Sequence, residues 1–252
     1  MMRIGDLVVV LPSFNPDEKL TGVLEGLTAA GFRHIVVVDD GSGGEHVALF
    51  SAAREQFGCD NPAHGENRGK GRALKTGFEF VLKHYPGCAG VITADGDGQH
   101  KICDIMACAE ALLSSPDTLI LGVRDIIGSV APFRSRLGNR LTSMAFRVFC
   151  GMNISDTQTG LRGIPACALE KFRQVKGERF EYETNMLLSS GVLGIPIREV
   201  KIGAVYIDGN ASSHFRAVRD SVKVYSAIFP FALRSAASTF SSLRTRRKRP
   251  YR

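Results

Sequence analysis

The chain lacks the two glycine patterns that mark the most familiar nucleotide-binding loops. The phosphate-binding pattern G-x-x-x-x-G-K-[ST] is absent, and no G-x-G-x-x-G follows the first apolar run, residues 7–11. The first absence excludes a P-loop nucleoside triphosphatase, and the second argues against a nicotinamide-dependent dehydrogenase. No internal repeat and no linker rich in Pro, Gly or Ser divides the 252 residues. We therefore expect one α/β domain, large enough to bury its own core.

Cysteine pairs and a signal sequence are also missing. No C-x-x-C spacing occurs, and several cysteines lie in apolar stretches where a thiol behaves as a small hydrophobe. We expect reduced, structural thiols at Cys59, Cys88, Cys103, Cys108, Cys150 and Cys167. Residues 1–6 lead straight into the first apolar run without a signal-peptide pattern, so a cytoplasmic location is expected.

Most of the net positive charge of the chain comes from residues 244–252. The formal net charge is +7, and six cations lie within residues 244–252. The rest of the chain is therefore almost neutral and lacks the broad basic face that binding to nucleic acid requires. Nucleic acid is not an expected partner.

The segment before these cations is apolar but interrupted. Lys223, Pro230 and Arg234 interrupt the run of residues 222–243, which argues against a membrane-spanning helix. An interfacial helix followed by a basic tail, within residues 221–252, would hold the chain at the inner face of a membrane with an anionic surface. The alternative is a helix packed on the domain, followed by a disordered tail.

Three apolar runs rich in β-branched residues predict buried parallel strands at 7–11, 35–38 and 91–93. Between them, Asn15 and Pro16 are typical of a helix start, and apolar residues at helical spacing predict its buried stripe: Leu20, Val23, Leu24 and Leu27. Further helices are predicted at 45–57, 71–84 and 102–113, and a strand at 118–121. This alternation predicts a doubly wound, mostly parallel sheet with helices on both faces.

The pattern changes after residue 124. A helix is predicted over 137–150, turns over 156–163, another helix over 182–190 and an extended segment over 195–207. We therefore divide a single domain, 1–220, into a nucleotide half of about 1–123 and an acceptor half of about 124–220. The two halves are expected to share one sheet.

The loops after the predicted strands carry the candidate site, because open α/β sheets bind ligands beyond the carboxyl ends of their strands. Asp95 and Asp97 follow the third run, and two such carboxylates can converge on Mg²⁺ or Mn²⁺, with Gln99 adding a neutral oxygen. A cation there would offset the charge of a diphosphate leaving group. An isolated D-x-D is more often a surface turn, but its position at the end of a buried strand favours a metal site.

Two other loops have ligand-binding chemistry. Asp39 and Asp40 follow the second run and offer paired acceptors to a ribose or base, or else a capped turn. Lys70 lies within the segment 67–71, which has two glycines and two cations at a predicted helix start and could cradle phosphate or sugar oxygens.

Five segments in this order resemble the motifs of the family-two glycosyltransferases, and of dolichyl- or polyprenyl-phosphate sugar synthases in particular: Pro12–Asn15, Asp39–Ser42, Asn67–Gly71, Asp95–His100 and Asp156–Gly160. The resemblance covers about residues 5–225. It implies a GT-A fold, a UDP- or GDP-sugar donor, a divalent metal and inversion at the anomeric carbon. The apolar strand that the resemblance implies near 59–64 is weak in this sequence.

The resemblance also assigns roles. Pro12, Asn15 and Asp39 would face the nucleoside, while Asp95, Asp97 and Gln99 would serve the metal and diphosphate. Basic positions of the acceptor half match Arg124, Arg136 and Arg140, and Arg216 lies in a segment, 212–216, like the one that closes over the phosphates in the family.

The sequence is compatible with two classes of acceptor substrate. A polyprenyl phosphate carries about −1.5 to −2 charge at pH 7 and is its own nucleophile, so it needs cations rather than a base. A sugar hydroxyl, as in polysaccharide assembly, needs a general base, for which Asp156 is the candidate. A non-catalytic sugar-nucleotide-binding module is a third possibility, against which the intact Asp95, Asp97 and Gln99 argue. The arginines and the basic tail favour the phosphate acceptor.

Overall fold

A computed structural model describes residues 2–124, 139–140, 142–144, 146–148 and 151–203. Its strands are β1 (Leu7–Ser13), β2 (His34–Asp39), β3 (Gly90–Thr93), β4 (Leu119–Arg124), β5 (Arg162–Pro165) and β6 (Ile197–Ile202). Its helices are α1 (Lys19–Ala29), α2 (Val47–Phe57), α3 (Lys70–His84), α4 (Ile102–Ser114), α5 (Ala166–Arg173) and α6 (Glu181–Val192). Residues 139–140, 142–144 and 146–148 are also helical.

The described strands form one six-stranded sheet in the order β2-β1-β3-β5-β4-β6. β1 pairs in parallel with β2 and β3, and β4 pairs in parallel with β6. β5 is antiparallel to both of its neighbours, β3 and β4. The prediction of a mostly parallel α/β sheet is confirmed, with one antiparallel strand near its centre.

The two faces of the sheet carry separate apolar cores because successive strand residues point to opposite sides. Leu7, Val9 and Leu11 of β1 pack in the core that includes α1, α2 and α4. Val8 and Val10 pack in the core that includes α3, α5 and α6. Helices therefore cover both faces, which explains why β1 is continuously apolar.

The start of α1 differs from the prediction. The helix begins at Lys19 with Glu18 at its N-cap, so the assignment of Asn15 as cap and Pro16 as first helical residue was wrong. Asn15 instead adopts a left-handed backbone with φ of 49° and bonds to the loop after β2. Its backbone N–H donates to Ser42 Oγ at 2.9 Å, and its Oδ1 accepts from the N–H of Gly43 at 3.1 Å. The contact with another loop outweighed the local capping pattern.

The segment 59–64 lies beside β2 despite its weak sequence signal. Single parallel bridges join Val36 to Asp60 and Asp39 to Ala63. Strand β5 and helix α5 had no counterpart in the sequence-based prediction. Arg136, Arg216 and residues 221–252, for which an interfacial helix and a basic tail were predicted, lie outside the described residues. Within those residues, no helix is both long and apolar enough to cross a membrane.

Candidate active site

Asp95 lies at the centre of a charged cluster just beyond the carboxyl end of β3. Lys70 Nζ, at the start of α3, is 2.8 Å from Asp95 Oδ1, and His100 Nε2 is 3.5 Å from Asp95 Oδ2. Burial alone would raise the pKa of Asp95, but Lys70 and His100 outweigh it and hold that pKa well below its usual range. Asp95 is therefore an ionised, paired carboxylate.

Lys70 also contacts a residue that is far away in the sequence. Its Nζ lies 3.4 Å from Oε2 of Glu183, on α6. Burial opposes the charge of Lys70, yet Asp95 and then Glu183 raise its pKa above the ordinary value. A Cβ on Gly160 would come within 2.6 Å of Asp95 Oδ2 and 2.9 Å of Lys70 Nζ, so a glycine there leaves room for the ion pair.

Asp97, the second carboxylate of this loop, has weaker described contacts than Asp95. Its Oδ1 accepts a hydrogen bond from the backbone N–H of Gln99 at 3.0 Å, and the side chain is half-buried. Burial, followed by the negative charge of Asp95, raises the pKa of Asp97. Two like charges so close together favour a cation beside them.

The donor set fits a cation that takes few ligands from the protein. Among the described residues, no group of three or more His, Cys, Asp or Glu side chains could hold a metal on its own. Two carboxylates and the Gln99 amide suit Mg²⁺ or Mn²⁺ when substrate phosphates and water complete the coordination. The residues present are therefore compatible with a metal that binds together with a diphosphate.

The neighbouring carboxylates Asp39 and Asp40 have different surroundings. Asp39 is half-buried, and its Oδ1 accepts one bond from the N–H of Ser42 at 2.8 Å. Asp40 is buried, with 3% of its surface exposed. It accepts four bonds of 2.7 to 3.1 Å, from His64 Nδ1, Asn67 Nδ2 and the backbone N–H groups of Arg68 and Gly69. Asp40 thus fastens the loop that precedes Lys70.

The loops after β1 and β2 are joined through Asn15, Ser42 and Gly43, next to Pro12 at the end of β1. Gly41 has φ of 78°, and a Cβ there would collide with the backbone of Glu66 and Asn67. The loops after β1 and β2 and the loop before α3 are therefore tightly packed against one another. This packing keeps Pro12, Asn15 and Asp39 at one edge of the sheet.

Asp156 and Arg124 form a second charged pair, at the end of β4. Arg124 Nε lies 2.7 Å from Asp156 Oδ2, and Arg124 Nη2 lies 3.1 Å from Oδ1, so the arginine binds both oxygens. The N–H of Gln158 donates to Oδ1 at 3.1 Å. Asp156 is completely buried, whereas 26% of the Arg124 side chain is exposed.

Comparison with known proteins identifies the family. The model of the "Glycosyl transferase family 2" family matches residues 8–187, well over half of the chain. The chain belongs to glycosyltransferase family 2. It is a glycosyltransferase, and the matched region contains the Asp95 and Asp156 clusters.

Curated relatives in this family include enzymes named for a dolichyl-phosphate acceptor. The dolichyl-phosphate beta-glucosyltransferase of Saccharomyces cerevisiae is 29% identical over 247 residues, covering 86% of this chain and 71% of that protein. The UDP-N-acetylglucosamine–dolichyl-phosphate N-acetylglucosaminyltransferase of Methanococcus voltae is 24% identical over 221 residues, covering 80% of this chain and 86% of that protein.

A solved structure supports the fold. Glucosyl-3-phosphoglycerate synthase from Mycobacterium tuberculosis, in complex with Mn²⁺, UDP and glucosyl-3-phosphoglycerate, matches with a TM-score of 0.68 at 16% identity. The match covers 90% of this chain and 79% of that one. The α/β sheet described above is accordingly a GT-A fold.

The structure brings together only part of the predicted set. Asp95 and Lys70 are in contact, as are Arg124 and Asp156. Arg140 is exposed on the helical residues after 138. Arg136 and Arg216 lie outside the described residues.

Sequence reasoning missed two buried charged residues behind the site, Arg162 and Glu183. Arg162 on β5 has 1% of its surface exposed, and it donates from Nε to the carbonyl of Thr159 at 3.1 Å and from Nη1 to the carbonyl of Glu183 at 2.7 Å. Burial lowers the pKa of Arg162, and the charges of Glu183 and Asp156 oppose that effect. A charge inside an apolar segment, as at residues 161–164, was the signal that could have revealed it.

Proposed function

We propose that this glycosyltransferase moves a hexose, with inversion, from a UDP- or GDP-sugar to a polyprenyl phosphate of the dolichyl or undecaprenyl type. The proposal rests on the burial of Asp156 and on its contacts with Arg124. This carboxylate is fully buried, and both of its oxygens bind Arg124. The geometry suits a residue that orients an arginine rather than one that removes a proton.

The choice of acceptor follows from that geometry. A hydroxyl acceptor must lose its proton to a base within hydrogen-bond reach. A phosphate acceptor arrives ionised, so it needs alignment and charge neutralisation instead. Arg124 is held in a fixed orientation by Asp156 yet remains partly exposed, which suits binding of a phosphate oxygen. Arg136, Arg140 and Arg216 are proposed to complete the acceptor site.

On the donor side, Asp97, Asp95 and Gln99 would hold Mg²⁺ or Mn²⁺ together with the diphosphate of the donor. The cation would supply neutralisation of the charge that develops on the leaving nucleoside diphosphate. Asp39, Pro12 and Asn15 would contact the nucleoside. Relatives named as dolichyl-phosphate sugar transferases support both the donor and the acceptor class.

The acceptor implies a location. A polyprenyl phosphate is a membrane lipid, so we propose that the enzyme works at the inner face of a membrane as a peripheral protein. The six cations within residues 244–252 would attract an anionic surface. Deleting them should weaken binding to anionic vesicles at low salt but leave the rate on a short, water-soluble acceptor nearly intact. Equal vesicle binding by both proteins would refute a role for the tail in attachment.

The test of function uses labelled UDP-glucose, UDP-N-acetylglucosamine, UDP-galactose and GDP-mannose, each with a polyprenyl phosphate and Mn²⁺. We expect one label to enter the organic phase. Asp97→Ala should lower that rate by about 100-fold or more, and chelator should abolish it. Asp117→Ala, at an exposed carboxylate, is the matched control and should retain wild-type activity. No label in the organic phase with any of the donors, or an unchanged rate in chelator, would refute the proposal.

A further inference from the structure

Lys70 lies between two carboxylates that are far apart in the sequence. Its Nζ is 2.8 Å from Asp95 Oδ1 and 3.4 Å from Glu183 Oε2. The Lys70 and Glu183 side chains are only 18% and 10% exposed. One ammonium group therefore serves the loop after β3 and helix α6 at the same time.

This contact competes with metal binding at the same oxygen. In the structure, Asp95 Oδ1 is occupied by the Lys70 ammonium. A divalent cation at Asp95 and Asp97 would stand close to that positive charge, and the repulsion would be weakly screened because the site is partly buried. The repulsion favours movement of Lys70 away from Asp95 when a cation binds that carboxylate. Among the described residues, Glu183 is the second carboxylate within 4.0 Å of Lys70 Nζ, at 3.4 Å.

The backbone at Glu183 is held in place. Its backbone carbonyl accepts a hydrogen bond of 2.7 Å from Nη1 of Arg162, a fully buried residue of β5. A buried carboxylate is stable only when it is paired, so Glu183 and Lys70 each need the other once Lys70 has left Asp95.

We propose that Glu183 is a positioning residue for the metal and diphosphate site: it receives Lys70 and so frees Asp95 for the divalent cation. This inference rests on the metal dependence in the proposed function. It makes metal binding in the nucleotide half depend on a side chain of the acceptor half. Lys70 would therefore have two ion-pair partners in turn, Asp95 before the cation binds and Glu183 afterwards.

A simpler account is that Glu183 attracts the cation through space as one more negative charge. The two accounts differ in whether the effect of Glu183 requires Lys70, so a double-mutant cycle separates them. The readout is Mn²⁺ binding, followed by the electron paramagnetic resonance signal of free Mn²⁺, with UDP in one series and GDP in another. The proteins are the wild type, Glu183→Gln, Lys70→Met and the double variant.

We expect Glu183→Gln to weaken Mn²⁺ binding by about tenfold or more, as is usual when a residue that supports a metal ligand is removed. In the Lys70→Met background the same change should have little effect, because no ammonium remains to block Asp95. An equal loss in both backgrounds would overturn the inference in favour of through-space attraction. Wild-type protein that binds no Mn²⁺ with either nucleotide would overturn the proposed metal dependence as well.

A second variant covers the case in which Lys70→Met does not fold. Glu183→Asp keeps the charge but shortens the side chain, which withdraws it from a contact already at 3.4 Å. We expect it to weaken Mn²⁺ binding nearly as much as Glu183→Gln, whereas a through-space effect would leave it close to wild type. Glu170→Gln is the matched control, since Glu170 is exposed and accepts bonds from Arg173 and Gln174, three and four residues later in the chain. It should bind Mn²⁺ as the wild type does.

Discussion

Replacing Asp40 by Asn should be among the most damaging conservative changes in the chain. Asp40 Oδ1 accepts bonds from His64 and the N–H of Arg68, and Oδ2 accepts bonds from Asn67 and the N–H of Gly69. An asparagine keeps one oxygen but turns an NH₂ group towards two donors. The buried donors on that side would lose their acceptor.

The magnitude follows from the number and type of bonds. Hydrogen bonds to a charged group contribute about 1.5–3 kcal/mol each, and a buried donor left unpaired costs about 1–3 kcal/mol. With two of the four bonds lost and the remaining two weakened, we expect the free energy of unfolding to fall by about 3–5 kcal/mol. The loop before Lys70 would loosen first, because its backbone N–H groups lose their anchor.

The adjacent residue is the matched control. Asp39 accepts one described bond, from the N–H of Ser42, and is half-buried, so Asp39→Asn can keep that bond through its remaining oxygen. It should cost less than about 1 kcal/mol of stability while weakening binding of the nucleotide. Because the chain has no Trp, urea unfolding is best followed by far-ultraviolet circular dichroism. Equal stability losses in the two variants, or a loss below about 1 kcal/mol for Asp40→Asn, would refute the anchoring role.

Three further changes test other parts of the structure. Asp156→Asn should lower the rate only modestly and add no new pH dependence, since we propose that Asp156 orients its arginine partner. A fall of about 10²–10⁴-fold, with loss of the acidic limb of the pH–rate profile, would instead indicate a general base and a hydroxyl acceptor. Gly160→Ala should disturb the Lys70–Asp95 ion pair and lower the free energy of unfolding by about 1–3 kcal/mol, measured by thermal unfolding. Gly22→Ala, at a helical position with open space around it, should leave the stability unchanged or raise it. Equal effects of the two changes would contradict the close packing at Gly160. Cys59 is buried, and burial, followed by the charge of Asp60, raises its pKa to about 11. At pH 8 Cys59 should therefore react with a thiol reagent only when the protein unfolds, whereas the exposed Cys103 should react at once. Fast labelling of Cys59 in the folded protein would refute its burial.

The features that the sequence predicts well are those whose signal is local. Continuous apolar runs identify β1, β2 and β3 because both faces of these strands are covered, and the strand-end rule then locates Asp39, Asp95 and Asp97 correctly at the edge of the sheet. Capping at Asn15 was mispredicted because two hydrogen bonds to the loop after β2 override a local preference.

The features that escape prediction depend on contacts between distant residues. β5 is short, contains a buried arginine and pairs with strands on either side of it, so no periodicity reveals it. Glu183 meets Lys70 only because α6 and α3 pack on the same face of the sheet. Its position in the sequence gives no hint of that partner.

The central position of β5 has a consequence for how the chain is made. Among the described strands, β4 joins the sheet of β1–β3 only through β5, because β5 lies between β3 and β4. When the first 124 residues have left the ribosome, no described strand bridges β3 and β4, and the inner edge of β3 stays open until residue 165 emerges. Open strand edges are sites of aggregation. Gene fission at the boundary between the halves should consequently yield no stable nucleotide-binding fragment, and expression of residues 1–124 alone should give insoluble protein.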